Sequence, residues 1–169
     1  MPGLESVSRT LPPHRFALWA LGFRPFYLLG AVFASLSAAL WALQYSGVLT
    51  ATVVRGPAWH GHEMLFGYAF AIVAGFLLTA VRNWTQRDTP SGAALAAIAL
   101  LWVAGRVLVL TPFVLTAAVV NALFPLAVAV GIGVPLFASG NRRNYFFVAL
   151  LVGASACRRG STSCSSSSR

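Results

Sequence analysis

Between residues 26 and 49 no side chain carries a charge, and the same is true of residues 64–81. A helix needs about 20 apolar residues to cross the hydrocarbon core of a bilayer. Backbone in lipid must also satisfy its own hydrogen bonds, so an apolar run of this length can span only as a helix. Residues 93–110 form a third run, with Arg106 its single charge, and residues 113–137 a fourth, which contains Asn121, Pro125 and Pro135. A fifth opens at 145–156 and stops early, since about a dozen residues do not cross a membrane. The pattern predicts an all-α fold: a polytopic transmembrane helical bundle of four spans plus an incomplete fifth. Pro125 and Pro135 are expected to kink or interrupt the fourth span.

The 169 residues are 58% hydrophobic and only 9% charged, with a mean hydropathy of +0.77. A soluble domain carries roughly 25% charged residues, so the chain is an integral membrane protein whose first partner is the lipid bilayer. All 12 basic residues are arginine, and the net charge is +9. That excess does not mark a nucleic-acid-binding protein, because the arginines sit in short loops between apolar runs and share no amphipathic face. They orient the spans instead. Arg9, Arg15 and Arg24 precede the first span, Arg55 alone follows it, Arg82 and Arg87 follow the second, none follows the third, and Arg142 and Arg143 follow the fourth. The positive-inside rule then puts residues 1–24 in the cytoplasm. The expected location is a bacterial inner (cytoplasmic) membrane, multi-pass. No apolar core followed by a small-residue cleavage site occurs near the start, so the first span is expected to be an uncleaved anchor.

Residues 25–152 form the transmembrane region. From Gly153 to Arg169 the sequence turns abruptly into a Ser-rich tail of low complexity. The change falls inside a growing apolar run and is read as a frameshift or truncation. Cys157 and Cys164 both lie in this tail and imply neither a disulfide framework nor a metal site.

The chemistry is concentrated at the mouth of the second span, in Trp59-His60-Gly61-His62-Glu63-Met64. The whole chain has 3 His, 3 acidic residues and 2 Met, so the crowding is not compositional. Such groups are costly beside lipid, and they are ligand types that haem iron and copper accept. His60 and His62 point about 200° apart in a regular helix, so they would share a metal only if the segment were extended. Helical steps of three and four instead group His60 with Glu63 and Met64, and His62 with Phe66. The plainer alternative is a pair of interfacial histidines bonded to backbone or headgroups. The positive-inside orientation turns this cluster outward, toward the periplasm. Arg106 then lies roughly 6 Å below the outer end of the third span and Asn121 roughly 12 Å below that of the fourth, with Gln44 placed similarly in the first. Buried polar groups of all four spans thus fall in the outer half. Arg106 is a structural ion-pair partner for Glu63, a snorkelling cation, or a partner for an anionic group such as a haem propionate. His14 reads as a surface residue. Gly67, Ala71, Ala74 and Gly75 form a small-residue stripe for close helix approach, and Trp41, Trp59 and Trp84 are interfacial aromatics.

These stretches together resemble the NnrS family of bacterial membrane proteins, which are associated with nitric oxide and denitrification. The resemblance rests most heavily on Trp59-His60-Gly61-His62-Glu63-Met64-Leu65-Phe66-Gly67. Leu21-Gly22-Phe23-Arg24-Pro25-Phe26, Ala74-Gly75-Phe76-Leu77-Leu78-Thr79-Ala80-Val81, Asn83-Trp84-Thr85, Trp102 with Gly105-Arg106, and Asn141-Arg142-Arg143-Asn144 add to it. It covers about residues 15–152. Two positions depart from the family pattern: Arg82 stands where proline is usual, and Gln86 where glycine is usual. The resemblance implies a haem- and copper-containing protein that helps cells tolerate nitric oxide, in a family of longer chains with about a dozen spans of ordinary length. It implies His60 or His62 as an axial haem ligand, the other histidine with Met64 as a copper pair, and Glu63 as an acceptor that orients an imidazole or relays a proton. Arg106 would be a charge partner of the cofactor, and nitric oxide the ligand of an open iron position. A competing reading of the same polar cluster is a transporter or channel subunit with an outward-facing site, which a broken fourth span would favour.

Overall fold

The computed structural model describes residue 19 and residues 21–48, 56–140 and 142–164, without the side chains of 56–58 and 156–164. His14, Arg9, Arg15, Arg55 and Asn141 lie outside the described residues. No strand occurs among the described residues. Helix α1 spans Phe23–Tyr45, α2 Gly56–His62, α3 Phe70–Thr85, α4 Ala93–Leu108, α5 Val114–Ala138 and α6 Tyr145–Cys164. A π-helical segment, Glu63–Ala69, joins α2 to α3 without a break, so one continuous helical rod carries the histidines. Among the described residues, three helices are long and apolar enough to cross a membrane: Phe23–Tyr45, Trp59–Thr85 and Val114–Ala138. Helix α4 is apolar but shorter.

The differences from the sequence expectation have physical causes. Helix α1 opens at Phe23 because Pro25 falls in the first turn, where its missing N–H has no intrahelical acceptor to serve. In place of a side-chain cap from its own segment, the Phe23 N–H donates to Thr79 Oγ1 on α3 at 3.2 Å. The second span begins at Gly56 rather than at Met64, so the His-rich stretch is inside the helix and not in front of it. Helix α5 runs unbroken through Pro125 and Pro135. Both prolines are buried against neighbouring helices, the setting in which membrane helices tolerate proline. Helix α6 continues past residue 156 to Cys164 despite the loss of apolar period, because helical hydrogen bonding needs no apolar face.

Helix α1 packs on the α2–α3 rod, α3 on α5, and α5 also on α4 and α6. Phe26, Leu78, Val128 and Leu136 are fully buried where these helices meet. The small-residue stripe does what its spacing implies: Gly67, Ala71, Ala74 and Gly75 are all buried. A Cβ on Gly75 would lie 2.9 Å from Phe26 Cβ and 3.2 Å from Phe23 Cα, which is how α1 and α3 approach so closely. The contacts also sort the two ends of the bundle. Phe23 meets Thr79, Gly92 N–H donates to Trp19 O at 2.9 Å, and Trp84 stacks on Phe147. Arg24, Arg82, Arg87, Arg142 and Arg143 therefore belong to one end of the bundle, and the histidines to the other.

Gln86 has φ 53° and ψ 28°, and among the described residues it alone, glycines apart, has positive φ. It terminates α3 in the left-handed conformation, the position where helices favour glycine. A glycine would adopt this conformation without strain. The Gln86 side chain compensates in part by donating from Nε2 to Asn83 O at 2.7 Å. Gln86→Gly is expected to raise stability by about 1 kcal/mol, read as a small upward shift of the thermal transition in detergent.

Candidate functional site

The site forms where α1, the α2–π junction, α4 and α5 converge. Glu63 opens the π segment and is 1% exposed. Its Oε2 accepts from Arg106 Nη1 of α4 at 2.5 Å. Arg106 Nη2 donates to Asn121 Oδ1 of α5. Asn121 in turn donates from Nδ2 to Ala117 O at 2.8 Å and Gly105 O at 3.3 Å. Three helical rods are thereby tied by one buried polar chain, and every charge in it is compensated. An uncompensated ion at this depth would be far more costly than the pair. Of the readings open for Arg106, the ion pair with Glu63 is the one observed.

The chain reaches the histidines through the other carboxylate oxygen. His62 Nδ1 lies 3.0 Å from Glu63 Oε1. A carboxylate paired with arginine is ionised and only accepts, so the proton of this contact is on Nδ1. In the neutral imidazole this leaves the Nε2 lone pair available, on a side chain 45% exposed. The His62 ring also packs on Phe66 at 4.9 Å, the pairing expected from a four-residue step. His60 goes elsewhere. Its ring stacks on Trp41 of α1 at 5.1 Å and 19°, and its Nδ1 lies 3.4 Å from Ser37 Oγ. The structure thus brings Glu63 to His62 rather than to His60. Because Gly56–His62 is helical, the extended geometry that would let both imidazoles share one metal does not occur. Met64 is half-buried beside Glu63 on the π segment.

Sequence reasoning missed Ser37, which is 1% exposed within α1. A lone hydroxyl in an apolar span was a weak signal, since such a group also bonds readily to its own helix. Gln44, by contrast, is only partly buried.

The donor set fits a single histidine ligand better than a preformed metal cage. A carboxylate that fixes Nδ1–H and leaves Nε2 open is the arrangement by which metal-ligating histidines are oriented. Among the described residues, no group of three His, Cys, Asp or Glu side chains is placed to hold one metal ion.

A protein-family model described as NnrS protein matches residues 17–161, past Val152 and into the Ser-rich stretch. No curated protein and no solved structure matches the chain.

Proposed function

The chain belongs to the NnrS family, and from that premise we propose that it is a haem- and copper-associated membrane protein that binds nitric oxide and contributes to tolerance of it. The observation that carries this reading is the His62–Glu63–Arg106–Asn121 chain. It orients one imidazole at the end of the bundle remote from the loop arginines. His62 would hold a haem iron through Nε2 in this reading. His60, with Met64 one helical turn on, is the copper pair, since imidazole and thioether together suit a soft copper ion. A haem held there would supply the binding of nitric oxide. The protein's own groups would fix the ligand: Glu63 holds the His62 proton on Nδ1, and Arg106 and Asn121 hold Glu63 still.

The arginine-bearing end belongs in the cytoplasm and the histidine end at the periplasmic face of a bacterial inner membrane, by the positive-inside rule. The unbroken course of α5 through Pro125 does not supply the broken span that would favour a transporter reading.

The test is the absorption spectrum and metal content of purified protein. His62→Ala is expected to abolish the haem Soret band, and the half-exposed side chain makes a folding defect a poor alternative cause. His60→Ala is expected to keep the Soret band and lower bound copper at least tenfold. Nitric oxide should shift the Soret band of the unaltered protein. A double variant that keeps both haem and copper would overturn the assignment.

A further inference from the structure

A cavity of about 290 Å³ lies between α1, the α2–π junction and α4. Its walls are apolar except for Ser37, Glu63, the Trp59 indole and Arg106. Two of these carry buried donors without a hydrogen-bond partner among the described residues, Trp59 Nε1 and Arg106 Nε. Arg106 is 8% exposed, so its idle N–H cannot simply turn to water. Two unmet donors around one apolar cavity amount to a standing demand for acceptor atoms, since a buried polar group normally finds a partner.

The geometry points to a binding site for the head group of a neutral, lipid-soluble quinone in this cavity. The ligand must be uncharged, because Glu63 already neutralises Arg106 and no second charge lines the walls. It must offer acceptors and need few donors, because the unmet atoms are both N–H groups. Carbonyl oxygens on a ring meet both conditions. Phe33 and Trp102, in edge-to-face contact at 5.5 Å, also line the cavity and give a planar ring aromatic surface to pack on. The rim includes Val32 and Leu36 on α1, Val107 on α4 and Leu110 in the turn after it, all at least 50% exposed. In a bilayer those side chains meet lipid, so an apolar tail can leave the cavity sideways while the head group stays inside. Nitric oxide is too small to fill the space and too weak an acceptor to satisfy two donors. The histidines do not line the cavity, which meets the His62 chain only through Glu63 and Arg106.

Photolabelling of the purified chain with an azido-benzoquinone, mapped by mass spectrometry, tests this. Adducts are expected on cavity-lining segments of α1, α2 and α4, and excess decylubiquinone should suppress them. Trp59→Phe removes one donor and keeps most of the ring volume. It should weaken decylubiquinone competition by about 3- to 10-fold, the value of one hydrogen bond. Val103→Phe fills the cavity and should abolish labelling in protein that still elutes as a single folded species. Labelling that survives excess decylubiquinone or the Val103→Phe substitution overturns the proposal. So does labelling displaced by phosphatidylglycerol but not by decylubiquinone, which would assign the site to a lipid ester carbonyl. The haem spectrum of the same samples reports the histidine assignment separately.

Discussion

Arg106→Met is expected to cost about 3–5 kcal/mol, the usual penalty for removing one member of a buried ion pair. Glu63 is 1% exposed and would lose the guanidinium that compensates it. Asn121 would at the same time lose the donor on its Oδ1. The measurement is thermal unfolding in detergent, followed by near-ultraviolet circular dichroism. The double variant Glu63→Gln, Arg106→Met is expected to be markedly more stable than Arg106→Met alone, because no charge is then left buried without a partner. Equal stabilities for the single and double variants would show that the pair is not ionic. The same two variants separate stability from ligand binding. The double variant lacks the carboxylate that fixes His62, so its haem affinity should fall by about 10- to 100-fold even where it folds well.

Gly67→Ala is expected to cost about 1–3 kcal/mol through overpacking. A Cβ there would lie 2.6 Å from Phe33 Cε1 and 2.9 Å from Arg106 Nη1. Neither neighbour can withdraw freely. Arg106 is held by Glu63 and Asn121, and the Phe33 ring packs on Trp102, whose Nε1 donates to Gly67 O at 3.1 Å. Gly61→Ala is the control on the same rod. Its Cβ would meet nothing within 4 Å, so this substitution should be neutral or stabilising by up to about 1 kcal/mol. Comparable losses in both variants would mean that glycine is needed for backbone freedom rather than for close approach.

Much of the fold was legible because lipid is a simple solvent. Apolar runs located α1, α3, α4 and α5, and the spacing of Gly67, Ala71, Ala74 and Gly75 identified the buried stripe of the second span. The boundaries were less legible. Pro25 and the His-rich stretch look like positions before a helix, yet both are accepted inside one, the first because early turns spare the N–H and the second because buried partners exist. Pro125 and Pro135 read as breaks, and nothing in their own segment says that neighbours bury them. The Glu63–Arg106 pair could be anticipated from the scarcity of acids and the depth of the one charge in the third span. That Asn121 completes it, or that Ser37 and Trp41 hold His60, depends on which helices adjoin, and periodicity within one helix does not carry that information. The Gln86 departure was visible as a residue out of pattern, but its meaning needed the backbone angle.

The π segment between the histidines and the small-residue stripe has a consequence for how this rod can vary. Winding one residue more than an α-helix over the same rise shifts the azimuth of everything above it by roughly 100° relative to everything below. Substitutions within 63–69 change contacts one at a time. Loss of a single residue there would instead restore plain α winding and swing His60 and His62 together around the rod, while Ala71, Ala74 and Gly75 stayed seated against α1. The ligand-bearing turn and the packing half thus have separate phases, set by residue count rather than residue identity, and a one-residue gap in this stretch would re-aim the site where it would merely shorten a loop elsewhere.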